Sequence, residues 1–535
     1  MRTLKHIAVG AALLLGSTAC ADLEVTNPNA PDARRALSTA GDVESLISGA
    51  FNTWFTAGHS FNGPGPFLSN MAFQHNAPWA NFGMEFYARI PRNGIQNDVA
   101  DSYYGNFTRV WYISYRSIAA LADGMRALED PDIVDELGQD AVTRAQAYGK
   151  FVQGLAHATI AVFYDRGFVV DETTDLTQQQ EMLDYNALMA AALGKFDEAI
   201  ALAESNTFTI PAGWMSVAVD SDQLARIAHS YKARFRASVA RTPEERQAVD
   251  WNAVMADVDA GISEDWNMVF DWDNGWYFSA LDYSTDTGWS QLAYWMYGMA
   301  DQEGDYQRWV NTPLGSKSYE FPDGEPVLIV TPDTRFPQGS TVEEQRANQG
   351  TSFAINTEAE AGGTWKRPDR GTWRWSWYKT KPAGWDYWGE ENWNQPGITY
   401  AEMRLLKAEA MYRGGNLAGA ADLINVSRTA AGLNATDASG TNTSCVPKLP
   451  NEQCGDLLEM LKWEKRMETV WSGPALSGWY FDGRGWGDLF ANSPLQFPVP
   501  CQELQVLQLL PCNTFGGPGG EFSAPVSTYA FPDES

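Results

Sequence analysis

Apolar positions recur at three- and four-residue intervals over long stretches of this chain, the spacing that collects them on one face of an α-helix. The stretches are 43–55, 110–128, 141–164, 185–203, 223–240 and 251–262. Two more, 400–413 and 418–431, are separated by Gly414-Gly415-Asn416. Glycine and asparagine accept the left-handed conformation that stops one helix before the next begins. The pair therefore predicts a helix–turn–helix, with small Ala408, Ala410, Ala420 and Ala421 placed where two helices come close.

Between about 265 and 400 the helical period mostly lapses, and Trp, Tyr, Gly, Pro and Asp crowd together. Phe321-Pro-Asp-Gly-Glu-Pro followed by Val-Leu-Ile-Val reads as a turn and a short strand. A second loop-rich, aromatic stretch runs over 59–104, and the tail after Cys512 is rich in Gly, Pro and Ser. The pattern predicts a mainly α protein: a helical scaffold over about 40–265 and 400–470, carrying a long aromatic-rich insertion over about 266–399. The 400–431 pair resembles a tetratricopeptide unit. Leu193-Gly-Lys-Phe196-Asp-Glu-Ala199-Ile200 has the same order of turn, aromatic and alanine. The copies are irregularly spaced, so a regular solenoid is not expected.

The N-terminus changes this picture. Met1-Arg-Thr-Leu-Lys-His is basic, 7–15 is apolar, and Gly16-Ser-Thr-Ala leads into Cys20. This is the plan of a secretory signal peptide, and nine apolar residues fall well short of the ~20 that span a bilayer. A cysteine directly after the small residues resembles a bacterial lipobox, in which residues 1–19 are removed and Cys20 is acylated. Ser17 stands where a lipobox usually has Leu. Ordinary secretion with cleavage near Ala19 or Ala21 is the plainer alternative. Under the lipobox reading residues 20–535 form one domain, with the lipid as the sole membrane attachment.

Charge and cysteines fit an extracytoplasmic protein. The chain carries a net charge of −29, and loss of Arg2 and Lys5 with the leader makes it more negative still. Such a surface repels phosphate backbones, and no basic stripe offsets it, so nucleic acid is not an expected partner. Of five cysteines, four remain after Cys20. Their two close pairs favour disulfides Cys445–Cys454 and Cys501–Cys512 in an oxidising compartment. Zinc is the rival, but no C-x-x-C is present and the last histidine is His229.

Cys20 with the 22–28 stretch, the 147–167 helix, the 400–432 helix pair and the motifs at 463–468, 484–489 and 497–504 together resemble the SusD/RagB family of outer-membrane nutrient-binding lipoproteins. Cys20 followed by Asp22-Leu-Glu-Val-Thr-Asn-Pro is similar to the family's mature start. Ala147-Tyr-Gly-Lys-Phe151 through Phe163-Tyr-Asp-Arg-Gly167 resembles its long helix that ends at a glycine. Tyr400-Ala-Glu-Met-Arg-Leu-Leu-Lys-Ala-Glu409, with Asn425-Val-Ser-Arg428-Thr-Ala-Ala-Gly432, resembles its tetratricopeptide pair. Trp463-Glu464-Lys-Arg466-Met-Glu468, Arg484-Gly-Trp486-Gly-Asp488-Leu489 and Phe497-Pro-Val-Pro-Cys-Gln-Glu503-Leu504 resemble three further elements. The chain departs from the family pattern at 470–483, which holds extra Gly, Pro and Trp, at Gly485, and in its disulfides. The resemblance implies a helical SusD-like fold with tetratricopeptide-type helix pairs. It also implies a surface lipoprotein of the outer membrane that caps a SusC-like TonB-dependent transporter.

The residues themselves point to sugar binding. There are 22 tryptophans, many in the two loop-rich stretches. An indole offers a flat apolar face that complements the C–H face of a sugar ring, while neighbouring polar groups bond the hydroxyls. The candidate platform residues are Trp79, Tyr87, Trp276, Tyr277, Trp289 and Trp295, the last four close to acidic or amide groups such as Asp282, Asp286 and Gln291. The cluster at 373–393 competes with them. The alternative for each ring is core packing. Enzyme signatures are thin: no H-E-x-x-H, G-x-S-x-G or phosphate loop is present, and acidic pairs among 67 acids are not specific. Asp271-Trp-Asp273-Asn274-Gly275 resembles the start of a calcium loop but lacks its remaining ligands. No metal, cofactor or catalytic residue is expected. Two other functions stay open: a secreted glycoside hydrolase, and a tetratricopeptide adaptor for peptides. The ligand itself, glycan or peptide, is not fixed by the sequence.

Overall fold

The structure, a computed structural model, describes residues 37–60, 63–76, 83, 89–92, 94–271, 273, 275–276, 290–355, 376–381, 392–470, 472, 478–512, 527–529 and 531. Its scaffold is a succession of helices, each packed on the one before. The long ones are α1 (Ala40–Ser48), α2 (Ala50–Gly58), α3 (Tyr104–Ala127), α4 (Gln139–Phe163), α5 (Tyr185–Ser205), α6 (Ser221–Ser238), α8 (Trp251–Ala260), α9 (Tyr400–Arg413), α10 (Leu417–Ala430) and α11 (Leu457–Glu468). Shorter helices α7 (Pro243–Ala248), α12 (Gly478–Trp486) and α13 (Cys501–Val506) fill the gaps. Helix α4 packs between α3 and α5, α5 on α6, α6 on α8, α8 on α9, and α9 on both α10 and α11.

Local chemistry sets the ends. Thr39, Asp184, Asp220, Asp250, Thr399 and Asp456 cap six of these helices by accepting a backbone N–H with their side chains. At the α9–α10 turn Gly415 takes φ 81°, a left-handed conformation that glycine adopts without strain. Asn416 then caps α10 by accepting the Gly419 N–H at 3.1 Å. The expected helix at 43–55 is instead two helices, α1 and α2, that meet at Gly49.

The insertion is closed by a ladder. Strand β2 (Trp266–Asp271) pairs antiparallel with β6 (Asn392–Ile398), from Ile398 opposite Trp266 to Asn392 opposite Asp271. The chain leaves the scaffold after α8 and returns directly before α9, and these two helices pack together. Short pairings fix its inner segments: β3 (Gln291–Leu292) with β1 (His75–Asn76) of the N-terminal part, and β4 (Phe353–Ile355) with β5 (Tyr378–Thr380). The turn expected at 321 is present, with Gly324 at φ 89°, but the strand expected after it does not form. Its buried backbone N–H groups are satisfied one by one: Val327 by the Tyr319 carbonyl, Leu328 by Asp305, Ile329 by the Tyr378 hydroxyl and Val330 by Asp301.

One apolar core runs from Val43 to Phe531. A smaller one, including Leu405, Ala408, Ala421, Ile424, Met460, Leu461 and Trp486, holds α9, α10, α11 and α12 together. Both expected disulfides are present, Cys445–Cys454 and Cys501–Cys512.

Candidate functional site

The charged residues of the most distinctive motifs are buried and form ion pairs between helices. Glu409 on α9 accepts from Arg246 at 2.9 and 2.6 Å, from Arg413 at 3.1 Å and from the Trp486 indole at 3.0 Å. Asp482 takes Lys465 at 2.9 Å and Arg246 at 3.1 Å. Asp488 takes Lys462 at 2.8 Å and also Arg466. Glu464 takes Arg335 at 2.8 Å and Arg428 at 3.4 Å. Burial alone would raise the Glu409 carboxyl, but Arg246, aided by Arg413 and Lys465, holds it far below the usual carboxylate range. These groups pair with one another, so their role is to fix helices rather than to meet a ligand. The departure at Gly485 is absorbed inside α12, where Arg484 and Trp486 are both buried.

A different place has hydrogen-bonding capacity left over. Segments 74–76, 290–292 and 376–378 converge there with Val470. β1 lies on β3, Ser376 donates its backbone N–H to Gln291 Oε1 at 3.0 Å, and Gln74 Nε2 donates to the Val470 carbonyl at 2.9 Å. Four side chains at this junction hold buried polar atoms without a partner among the described residues: Gln74 Oε1, both ring nitrogens of His75, Ser290 Oγ and Gln291 Nε2. Leaving such a group unpaired costs about 1–3 kcal/mol, and buried polar groups in folded proteins seldom go unpaired. Burial lowers His75 to about 3, so its imidazole stays neutral, offering one donor and one acceptor. The junction is therefore neutral and polar, a chemistry that suits hydroxyls better than phosphates or carboxylates.

Aromatic-bearing stretches adjoin the junction in sequence. The chain enters 77–82 directly from β1 and reaches Ser290 from 277–289 and Ser376 from 356–375. Trp79, Tyr87, Tyr277 and Trp289 fall on stretches outside the described residues, as does Cys20. The two remaining platform candidates are core. Trp276 is 5 % exposed and packs on Phe51 and Phe55, with ring centres 5.8 and 5.6 Å away. Trp295 is 1 % exposed, enclosed by Phe73, Trp309, Phe490 and Phe531 at 5.0–6.0 Å. Both rings fill space where regular structure is sparse, and neither offers a free face. Sequence reasoning passed over His75 and the amides around it. Two-residue strands leave no periodic trace, and only the pairing shows that these polar groups are buried together.

Elsewhere, an open cleft of about 370 Å³ lies between α5, α6 and α7, lined by Met189, Leu193, Arg236 and Val239 among others, with no aromatic ring on its walls. His157 donates or accepts at both ring nitrogens, with the Gln153 carbonyl and the Val170 N–H, as a packed residue does. Among the described residues no group of three His, Cys, Asp or Glu side chains is placed to hold a metal, and no helix is long and apolar enough to cross a membrane.

No family model matches the sequence, and no curated protein matches it. Solved structures do match. A SusD homolog from Parabacteroides distasonis superposes with a TM-score of 0.55 at 12% identity, covering 92% of this chain and 98% of that one. A SusD-like protein from Bacteroides fragilis gives 0.53 at 12% identity over 90% and 98%. A SusD superfamily protein, also from Bacteroides fragilis, gives 0.52 at 13% identity over 89% and 99%. The helical fold of this chain is thus similar to that of these SusD-like proteins.

Proposed function

We propose that this protein captures a nutrient, an oligosaccharide, at the outer-membrane surface and hands it to a SusC-like TonB-dependent transporter. Cys20 carries the lipid that holds it there. The work is binding and release, without bond breaking. The observation that supports this most is one neutral, under-bonded polar junction, built by segments that adjoin aromatic-bearing stretches in sequence, within a SusD-type fold. Stacking on Trp79, Tyr87, Tyr277 or Trp289 would supply the apolar half of sugar recognition, and amide and imidazole groups of the junction the polar half.

The test is a glycan and peptide array probed with the full chain carrying Cys20→Ala, followed by calorimetry on the strongest ligand. A neutral oligosaccharide that binds the parent and loses about tenfold or more on Trp79→Ala with Trp289→Ala, at unchanged melting temperature, fits the proposal. Binding of peptides alone would replace the ligand class. Turnover of a chromogenic glycoside panel would replace capture with catalysis.

A further inference from the structure

Eight large apolar side chains are exposed among the described residues; three fall within five residues, Val506 at 80 %, Leu509 at 50 % and Leu510 at 60 %, and a fourth, Val99 at 48 %, is on the segment of Asn97. Asn97 ties the two chain segments, donating to the Val499 carbonyl and accepting the Cys501 N–H, each at 2.9 Å. Single exposed apolar residues need no explanation, but a contiguous set marks a contact surface.

The set is ordered without being buried. Helix α13 ends with Gln508 in the left-handed region at φ 59°. The Leu509 N–H bonds the Leu504 carbonyl at 2.8 Å, and the Gln508 N–H bonds that of Gln505 at 3.1 Å. That pairing is a Schellman cap. In such a cap the residue at Leu509 usually packs back on its own helix, whereas here it stays half in solvent. The Cys501–Cys512 bridge closes the loop around these residues. Backbone bonds and a covalent link thus hold an aliphatic tip away from the core.

The first turn of α13 meets a face of α3 that carries two arginines, with the Glu503 carboxylate of α13 close enough to Tyr112 and Tyr115 to act on their hydroxyls. Tyr112 on α3 donates to Gln502 at 3.1 Å, and Arg109 and Arg116 lie three residues before and four after it, on the same side of the helix. Neither arginine has a carboxylate partner among the described residues, in a chain of net charge −29. Burial and the like charge of Arg116 hold the Arg109 guanidinium below its usual range.

We propose that the 506–510 tip and Arg109/Arg116 form a contact with an anionic lipid surface, the aliphatic chains entering the headgroup boundary and the guanidiniums meeting phosphates. This adds a second membrane contact to the lipid anchor, which the sequence had suggested as the sole one. A convex, aliphatic tip flanked by unpaired cations suits such a surface; a protein groove would favour aromatic anchors. Reach is sufficient if Cys20 is the lipidated residue: the 17 residues to Leu37 span at most about 55 Å, and α1, which follows, packs on α3.

The full chain carrying Cys20→Ala, which removes the anchor, is sedimented with vesicles of phosphatidylglycerol or of phosphatidylcholine. Binding to the anionic vesicles that weakens with salt is expected. Val506→Ser/Leu509→Ser/Leu510→Ser should cut it about thirtyfold, and Arg109→Gln/Arg116→Gln about tenfold at low salt. Leu176→Ser/Val426→Ser, at exposed sites elsewhere, should leave it unchanged. If the triple variant misfolds by circular dichroism, the arginine pair decides. No preference for anionic vesicles, or equal binding by parent and variants, overturns the proposal. So does loss of copurification with the transporter in the triple variant without any vesicle binding, which would assign the tip to a protein partner. Glycan affinity of the same variants is measured in parallel, so that this result and the nutrient-capture reading fail independently.

Discussion

Truncating a buried indole and removing a polar atom that has no partner should move stability in different directions. Trp295 is surrounded by four aromatic rings and Trp276 by two, so Trp295→Ala should cost about 3–5 kcal/mol in chemical denaturation, and Trp276→Ala a similar amount. A cost below about 1 kcal/mol would mean that these rings face water. His75 is the reverse case. Neither ring nitrogen has a hydrogen bond to lose, so His75→Phe, close in volume, should leave the denaturation midpoint unchanged or raise it. If the junction meets a ligand, the same variant should weaken binding to whichever glycan the array identifies. A fall of several kcal/mol in stability would show that the imidazole has structural partners. The aromatic composition in the sequence pointed to many rings in loops. It could not sort Trp276, which follows the β2 stem into Phe51 and Phe55, from rings that face outward, because that depends on contacts more than two hundred residues apart.

At the scale of elements, α9, α11 and α12 are held by buried charges as much as by apolar packing. Glu409→Gln would leave Arg246 fully buried with Asp482 as its remaining acid, and should cost about 3–5 kcal/mol at neutral pH. The pH dependence has a definite sign. The Glu409 carboxyl is depressed in the folded protein and ordinary in the unfolded one, near 4.3. Its contribution is therefore complete above that value and is lost as pH falls toward the folded value. Urea midpoints measured between pH 7 and pH 3 should draw together for parent and Glu409→Gln as acid is added; a constant gap would contradict the assignment. These elements were well marked in the sequence. Apolar period and caps predicted α4, α5, α6, α8, α9 and α10 to within a few residues at most ends. The break at Gly49 and the unpaired run at 327–330 were not marked, since both are settled by neighbours: α1 against α3 and α4, and the side chains of Asp301, Asp305 and Tyr378 taking the place of a partner strand.

At the scale of the molecule, the SusD-type fold and its insertion were legible from motifs that the structure shows to be mostly internal. Glu409, Arg428, Glu464, Arg466 and Asp488 carry the resemblance and lie in the buried network, which is why they identify architecture and say nothing of the ligand. The junction at His75 lay beyond sequence reasoning because four segments far apart in the chain build it. Attachment is the property of the whole chain that is simplest to test. Mass spectrometry of membrane-extracted protein should find an acylated N-terminal Cys20, and Cys20→Ala should move the protein from the membrane pellet to the soluble fraction. An unmodified N-terminus in the parent would remove the anchor.

The spacing of the two disulfides bears on how the chain matures. They join residues 9 and 11 apart in sequence, so each cysteine's partner is the next one to emerge during export: Cys445 then Cys454, Cys501 then Cys512. Order of emergence is then order of pairing, and a plain oxidant acting on thiols as they arrive gives the native bridges without exchange. Cys20, translocated long before them, is the one thiol that could intercept Cys445, and the proposed acylation would withdraw it from that competition. Export from cells lacking a disulfide isomerase should therefore yield the same amount of correctly bridged protein as export from normal cells, read by non-reducing peptide mapping. Mixed bridges to Cys20 should surface only when its acylation is blocked.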